Sequence, residues 1–455
     1  MKITAVLLAA GHGTRMKSDL PKVLHPVVGK PMVFYGLEAT RQASTETPVL
    51  VVGYGADAVK AAVGRASDYV IQEKQLGTGH AVLQAETLLK GKTDYVIVTY
   101  ADMPLLRPET LKNLVDTQKA NPGPITILTV VARDPRGFGR IVRKDDGTVQ
   151  AIVEEAAATP EQLKINELNV GAYCFSAGWL WEALRRIPLS QRGEYYLTDT
   201  IEVAVKAGLP VQAIVLDDII ETIGINTRVH LSEAESAMRQ RINRMHMLAG
   251  VTVIDPASTY IEPDISIGPE TTIWPNTYLH GATSIGANCT IGPNSILRDA
   301  QLADHCTVLA SVVEGAVLEN DVEVGPFARL RKGARLGRGV HLGNFGEIKD
   351  STLGPGVKMG HFSYIGNASI GAGTNIGAGT ITCNFDGKNK NPTEIGENAF
   401  IGSDTMLVAP VKIGDRARTG AGAVVTKDVP PDTLAVGAPA RAIRKLERKA
   451  GTGKI

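Results

Sequence analysis

The sequence predicts two folds in series: an α/β domain on a mostly parallel sheet, joined by a helix to a parallel β-helix. Three observations carry this. Up to about residue 228, continuous apolar runs alternate with amphipathic segments; residues 229–249 have helical spacing; and from residue 250 an aliphatic residue returns at every sixth position.

Through 1–228 the order is "ITAVLLAA", "PMVFYGLEATRQA", "PVLVVG", "GHAVLQAETLLK" and "DYVIVTYAD". Apolar strands separated by amphipathic segments predict parallel pairing under covering helices. Such sheets bind ligands at the carboxyl ends of their strands, and "AAGHG" and "TYADMP" fall there. In 229–249, Leu231, Ala234, Met238, Ile242 and Met245 mark one packing face, with Gly250 as the stop. Beyond it, Ile261, Ile267, Ile273, Leu279, Ile285, Ile291 and Leu297 stand six apart. The rule resumes at Val324, Leu330, Leu336, Leu342 and Ile348, and again at Ile395, Ile401, Leu407 and Ile413. At background aliphatic content, seven hits in one register arise about once in ten thousand starts, so the period is real. It suits three short strands per coil with one inward aliphatic each; a β-sandwich with regular turns is the competing reading. "TITCNFDGKNKNPTEIG" (380–396) breaks the register and predicts a loop over a neighbouring surface.

Hydrophobic content of 44% and 21% charge over 455 residues fit an ordinary globular chain. Lys+Arg (48) and Asp+Glu (47) nearly cancel, which argues against nucleic acid or anionic membrane as partners. The basic tail "RKLERKAGTGKI" reads as a frayed terminus. Cys174, Cys289, Cys306 and Cys383 form no C-x-x-C pair, which predicts buried thiols and a reduced, cytoplasmic compartment. No apolar run reaches the ~18–20 residues that cross a bilayer, and "MKITAVLLAAG" reads as a first strand, not a signal peptide.

"AAGHGTRMKSDLPK" carries the chemistry. A Walker A loop needs G-K-[ST], which is missing, and a dinucleotide fingerprint needs a third glycine where Met16 stands. What remains is a glycine turn with Arg15 and Lys22 to neutralise a nucleoside triphosphate.

"LAAGHGTRMKSDLPKVLHP" closely resembles the signature of sugar-phosphate nucleotidyltransferases, and "QLGTGHA", "TYADMPLL", "GFGRIV…IVEE" and "ELNVGAY" extend the match. With the hexapeptide half, nearly the whole chain resembles the bifunctional bacterial UDP-N-acetylglucosamine pyrophosphorylase / glucosamine-1-phosphate N-acetyltransferase family. The resemblance implies a Rossmann-like uridylyltransferase domain (1–228), a linker helix (229–249) and a left-handed β-helix acetyltransferase domain (250–455). It implies a cytoplasmic homotrimer working on small molecules. Acetyl-CoA would acetylate glucosamine 1-phosphate. The product's phosphate would then attack the α-phosphorus of UTP with Mg²⁺, releasing pyrophosphate and supplying peptidoglycan and lipopolysaccharide precursors.

Residue by residue, the resemblance assigns Leu8, Ala9, Ala10 and Gly11 to the uracil and phosphate end, and Arg15 and Lys22 to the phosphates as catalytic cations. Gln72, Gln75, Gly77 and Thr78 match the base-reading set. Tyr100, Gly139, Glu154 and Asn169 match the amino-sugar site; Ala101 and Asp102 belong to the same UTP- and UDP-sugar-binding set, and Asp102 with Asn226 would hold Mg²⁺. In the second half, Arg331, Lys349, Tyr364 and Asn375 match the glucosamine-phosphate site, and His361 the base that deprotonates the amine. Acetyl-CoA would meet Ala378, Asn384, Phe385, Ser403, Ala421 and Ala438. Two positions depart from the pattern: Phe385 replaces an expected tyrosine, and Ala438 stands where some relatives carry an arginine, with Arg441 or Arg444 as substitutes.

Two other functions compete. One is nucleotidyl transfer alone with the β-helix regulating or oligomerising, as in glucose-1-phosphate adenylyltransferases; His361, Lys349 and Asn384 argue against it. The other is a non-catalytic scaffold, against which Lys22, Asp102 and Asn226 weigh.

Overall fold

The computed structural model describes residues 1–445, so the basic tail from Leu446 lies outside the described residues. The chain divides into two compact units, Met1–Met238 and Arg239 onward.

The first unit is built on strands β1 (Ile3–Ala9), β2 (Val49–Val52), β3 (Asp68–Ile71), β4 (Tyr95–Tyr100), β5 (Ile125–Val131), β6 (Arg140–Arg143), β7 (Val149–Val153), β8 (Glu167–Ser176) and β9 (Val211–Leu216). The main sheet runs β9-β5-β8-β4-β1-β2-β3, with the β6/β7 hairpin joined through Leu168 and Arg140. Every neighbour along that path is parallel except β8, which runs antiparallel to β4 and β5. Burial on both faces explains the unbroken apolar runs. Ile3 and Ala5 of β1 pack into one core, Val6 and Leu8 into the other. "GHAVLQAETLLK" forms two short helices, Thr78–Leu83 and Glu86–Leu89, rather than one.

In the second unit the described strands stack into three sheets of twelve, ten and nine members, parallel except for the last strand of the twelve, which folds back antiparallel, and together they form a left-handed β-helix. Each strand pairs with the one a full coil later, as Thr272 with Thr290 and Ile273 with Ile291. Ile261, Ile273, Leu279, Ile291 and Leu297 are fully buried. Each such side chain contributes roughly 1.5–3 kcal/mol of apolar burial. Ile267, on the first rung of its face, is only half-buried.

The sequence period lapses between Leu297 and Val324, yet the coil does not. Leu302, Val308, Val313 and Leu318 fill the interior there, several of them after five-residue steps. A corner shortened by one residue preserves inward phase because side-chain alternation restarts with each strand. Many corners carry Asn or Asp with φ near +55°, as at Asn276, Asn294 and Asp404, where a short polar side chain tolerates the left-handed region. The loop expected in 380–396 leaves the coil after Ile381–Cys383 and returns at Thr393–Ile395.

The helix expected in 229–249 spans Arg228–Leu248. Ala234, Met238 and Ile242 are buried as expected, but Met245 is 52% exposed. Asn243 and His246 take the inner face instead. Asn243 Nδ2 donates to the carbonyls of Pro256 (2.9 Å) and Thr259 (3.1 Å), which makes burial of an amide tolerable. Cys174, Cys289 and Cys306 are buried, Cys383 half-buried, and all four are free thiols. Among the described residues no helix is long and apolar enough to cross a membrane.

Candidate active sites

β1 and β4 are neighbours, with Leu8 opposite Tyr100, so Ala10 and Asp102 leave the sheet side by side. β2 and β3 are neighbours too, and Gln72 N donates to the Val52 carbonyl (2.8 Å) just past their paired ends. The carboxyl ends of β1, β3 and β4 thereby open into a cavity of about 390 Å³. Its walls include Leu8, Ala9, Ala10, Gly11, Lys22, Gln72, Gln75, Gly77, Thr78, Tyr100, Asp102 and Glu154. Arg15, Ala101, Gly139, Asn169 and Asn226 stand outside that wall.

Asn226 reaches the cavity edge through its partners. Ile225 N donates to the Asp102 carbonyl (2.9 Å), which sets Asn226 beside Asp102. Lys22 Nζ ion-pairs with Asp102 and donates to Asn226 Oδ1 (3.2 Å); Arg15 Nη2 donates to the same oxygen (3.0 Å). Two oxygen ligands from distant segments thus converge on one cation, here an ammonium. That donor set, a carboxylate and an amide oxygen, suits a hard divalent ion. Among the described residues no group of three or more His, Cys, Asp or Glu side chains forms a metal cluster.

Behind the cavity, "ELNVGAY" makes a bulge between Asn169 and Tyr173 in the pairing of β8 with β5. Asn169 is buried, its Nδ2 donating to Tyr173 Oη (2.8 Å) and its Oδ1 accepting from Gly171 N (3.2 Å). Gly139 adjoins it, its carbonyl accepting from Asn169 N (2.8 Å). Glu154 does not lie on a solvated face like its neighbour Glu155, which pairs with Arg140 (2.8 Å). Glu154 Oε1 accepts from Thr198 Oγ1 (3.0 Å), while burial first and then the Glu194 carboxylate raise its pKa. Burial, followed by the Glu154 and Asp102 charges, likewise raises the Tyr100 phenol. Sequence reasoning missed Val23, Ala81, Glu194 and Tyr196 in the wall. Glu194 and Tyr196 come from "RGEYYLTDT", a segment with no apolar period to mark it.

In the second unit, Arg331, Lys349, Tyr364 and Asn384 follow one another up one sheet. Arg331 N donates to Ile348 O (2.9 Å), Glu347 pairs with Tyr364, and Lys349 with Gly366. The Tyr364 hydroxyl and Asn384 Nδ2 both overhang Gly366, where an added Cβ would stand 2.5 and 2.8 Å from them. Asn384 Nδ2 also donates to Asn367 Oδ1 (2.7 Å). Arg331 is engaged by Glu347 (2.9 Å), and Lys349 Nζ stands 3.8 Å from Asp350. Asn375 belongs to a different sheet, paired with Lys358 and Phe400.

His361 is exposed at the corner between those two sheets. The corners above it stack in a column: Gly379 N donates to Phe362 O (2.7 Å), Asp404 N to Ala378 O (2.6 Å) and Gly422 N to Ser403 O (2.8 Å). Ala378, Ser403 and Ala421 therefore share one edge with His361. Ala438 lies in the turn of the closing hairpin, Thr433–Val436 against Arg441–Lys445. That turn is tied to the coil at Val424, whose N–H donates to Gly437 O (3.0 Å). Phe385 is exposed, with Lys390 Nζ 5.0 Å from its ring centre.

Residues 4–224 match the nucleotidyl transferase family. Residues 264–299 and 392–427 match the bacterial transferase hexapeptide (six repeats), and 282–325 the hexapeptide repeat of succinyl-transferase. Among solved structures, UDP-glucose pyrophosphorylase complexed with UDP-glucose aligns at 21% identity and TM-score 0.44 over 53% of this chain and all of that one. The bifunctional protein GlmU of an Exiguobacterium species is 48% identical over 437 residues, 96% of this chain and 97% of that protein. Its counterpart in a Geobacillus species is 47% identical over 446 residues, 98% and 97% of the two chains. With both halves in the right order and identity this high end to end, the chain belongs to the family of bifunctional GlmU proteins.

Proposed function

We propose that the chain makes UDP-N-acetylglucosamine with two active sites, acetylating glucosamine 1-phosphate in the β-helix and uridylylating the product in the α/β domain. The observation that carries the reading is the convergence of Lys22, Asp102 and Asn226 at the mouth of a cavity walled by the base- and sugar-binding candidates.

In the uridylyl site, Lys22 and Arg15 neutralise the triphosphate, Gln72 and Gln75 read uracil, and Tyr100 and Glu154 hold the amino sugar, backed by Gly139 and Asn169. Asp102 and Asn226 hold Mg²⁺, which when bound supplies positive charge to the reacting phosphates. No residue need form a covalent bond; positioning and charge neutralisation carry the reaction.

In the acetyl site, His361 takes the proton of the attacking amine while Arg331 and Lys349 bind the sugar phosphate. Acetyl-CoA lies along the edge of Ala378, Ser403 and Ala421, with Asn384 at its reactive end. Because Asn375 and Lys349 lie on different faces of the β-helix, two coils apart, we infer a homotrimer in which neighbouring chains complete each acetyl site. The exposed ridge of Phe327, Phe345 and Phe362 along the same edge supports that reading. A cytoplasmic setting fits the substrates and free thiols.

The test supplies glucosamine 1-phosphate, acetyl-CoA, UTP and Mg²⁺ and follows free thiol and pyrophosphate separately. His361→Ala should abolish thiol release alone. Asp102→Ala should abolish pyrophosphate release even with N-acetylglucosamine 1-phosphate supplied. Wild-type chain that releases pyrophosphate but never thiol would reduce the β-helix to a scaffold.

A further inference from the structure

Gln72 is 4% exposed in the cavity wall. Its Nε2 donates to the Gly77 carbonyl (3.0 Å) and stands 3.0 Å from His80 Nδ1. Among the described residues its Oε1 has no partner. An amide nitrogen carries two hydrogens, and these two acceptors account for both. The Gly77 carbonyl can only accept, which fixes the nitrogen end. Its segment is pinned in turn, Gly79 N donating to Tyr195 O (2.8 Å) and Tyr195 N to Leu76 O (2.8 Å). Gly77 alone would leave the second N–H free, on a terminal torsion that is intrinsically broad.

We propose that His80 is a specificity-determining positioning residue of the uridylyl site. By accepting the second N–H of Gln72, it leaves only the Gln72 carbonyl oxygen for the base. That oxygen accepts from a pyrimidine whose ring nitrogen bears hydrogen, as in uracil, and opposes the bare ring nitrogen of cytosine. The inference rests on Gln72 facing the base, as proposed above.

The arrangement requires a bare Nδ1 and a proton on Nε2 of His80. Gln84 Nε2 lies 3.2 Å from that Nε2, but Gln84 is less buried than Gln72 and its nitrogen already donates to the His80 carbonyl (3.0 Å). Gln84 is the contact that gives way.

The test is kcat/KM for UTP and for CTP, with N-acetylglucosamine 1-phosphate as acceptor, in wild type, His80→Leu, His80→Asn and Gln72→Leu. The UTP-to-CTP ratio is insensitive to loss of active protein, so a purely structural role would not move it. His80→Leu should lower the ratio about tenfold, the worth of one hydrogen bond. His80→Asn, whose Oδ1 accepts near the place of Nδ1, should hold it within about threefold. An unchanged ratio in His80→Leu with a collapsed one in Gln72→Leu overturns the role of His80 and leaves Gln72 as reader. An unchanged ratio in both overturns the base reading itself. Should the leucine variant not fold, nitrogen-15 spectra of wild-type His80 decide. A bare Nδ1 supports the inference, and a protonated Nδ1 refutes it.

Discussion

Replacing Gly171 with alanine tests how the β8 bulge shapes the sugar end of the cavity. Gly171 has φ +87°, where side-chain-bearing residues cost about 1–3 kcal/mol. An added Cβ would also stand 2.7 Å from Tyr100 Cε2 and 3.1 Å from Cδ2. Carbon pairs rest near 3.5–4.0 Å, and overpacking of this kind costs about 1–3 kcal/mol. The sum is about 2–6 kcal/mol, shared between a destabilised bulge and a Tyr100 ring displaced in the cavity wall. Urea unfolding followed by tryptophan fluorescence measures the first share, and KM for N-acetylglucosamine 1-phosphate the second. Repeating the substitution in a Tyr100→Ala background removes the ring contact, so the stability loss should shrink there by about 1–3 kcal/mol. Thiol release by the β-helix should stay at wild-type level throughout. A variant within about 0.5 kcal/mol of wild type and with unchanged KM would refute the reasoning.

Three further outcomes are expected. Gly366→Ala presses on the Tyr364 ring and hydroxyl and on the buried Asn384 amide, so stability by urea midpoint should fall by about 1–3 kcal/mol while acetyl-transfer kcat/KM falls at least about tenfold. Lys22→Met removes the cation that faces Asp102 and Asn226; pyrophosphate release should fall about a hundredfold or more with acetyl transfer intact. Burial, then Glu202 and Glu154, raise the Asp199 carboxyl to about 6. A raised carboxyl favours folding below its unfolded pKa, and that contribution is lost as pH rises through the folded one. Asp199→Asn should therefore match wild type near pH 4 and gain by pH 7.5. The gain is about 1 kcal/mol by urea midpoints, once half-exposure and the lost charge at the helix start are allowed for.

Much of the architecture was legible in the residues because the relevant forces are local. One inward aliphatic per short strand is a property of each six-residue unit, so Ile261 through Leu297 announced a β-helix before any coil was traced. The five-residue steps through Leu302 and Val313 were not legible, since a shortened corner erases the period while leaving inward phase intact. Met245 was misjudged for a related reason. Helical spacing cannot tell which polar side chain will find backbone partners, and Asn243 finds two.

The sites divide in the same way. The sequence by itself determined a glycine turn with Arg15 and Lys22 at a strand end, an acid at the end of "VIVTYAD", and a stacked coil bearing His361. Only the tertiary structure decided that Lys22, Asp102 and Asn226 meet at one point, that Glu154 turns into a cavity, and that Asn375 faces away from Lys349. It alone showed Gln72 held by Gly77 and His80. Strand and coil are specified by neighbours a few residues apart, whereas these meetings depend on sheet order and register, which no short stretch of chain encodes.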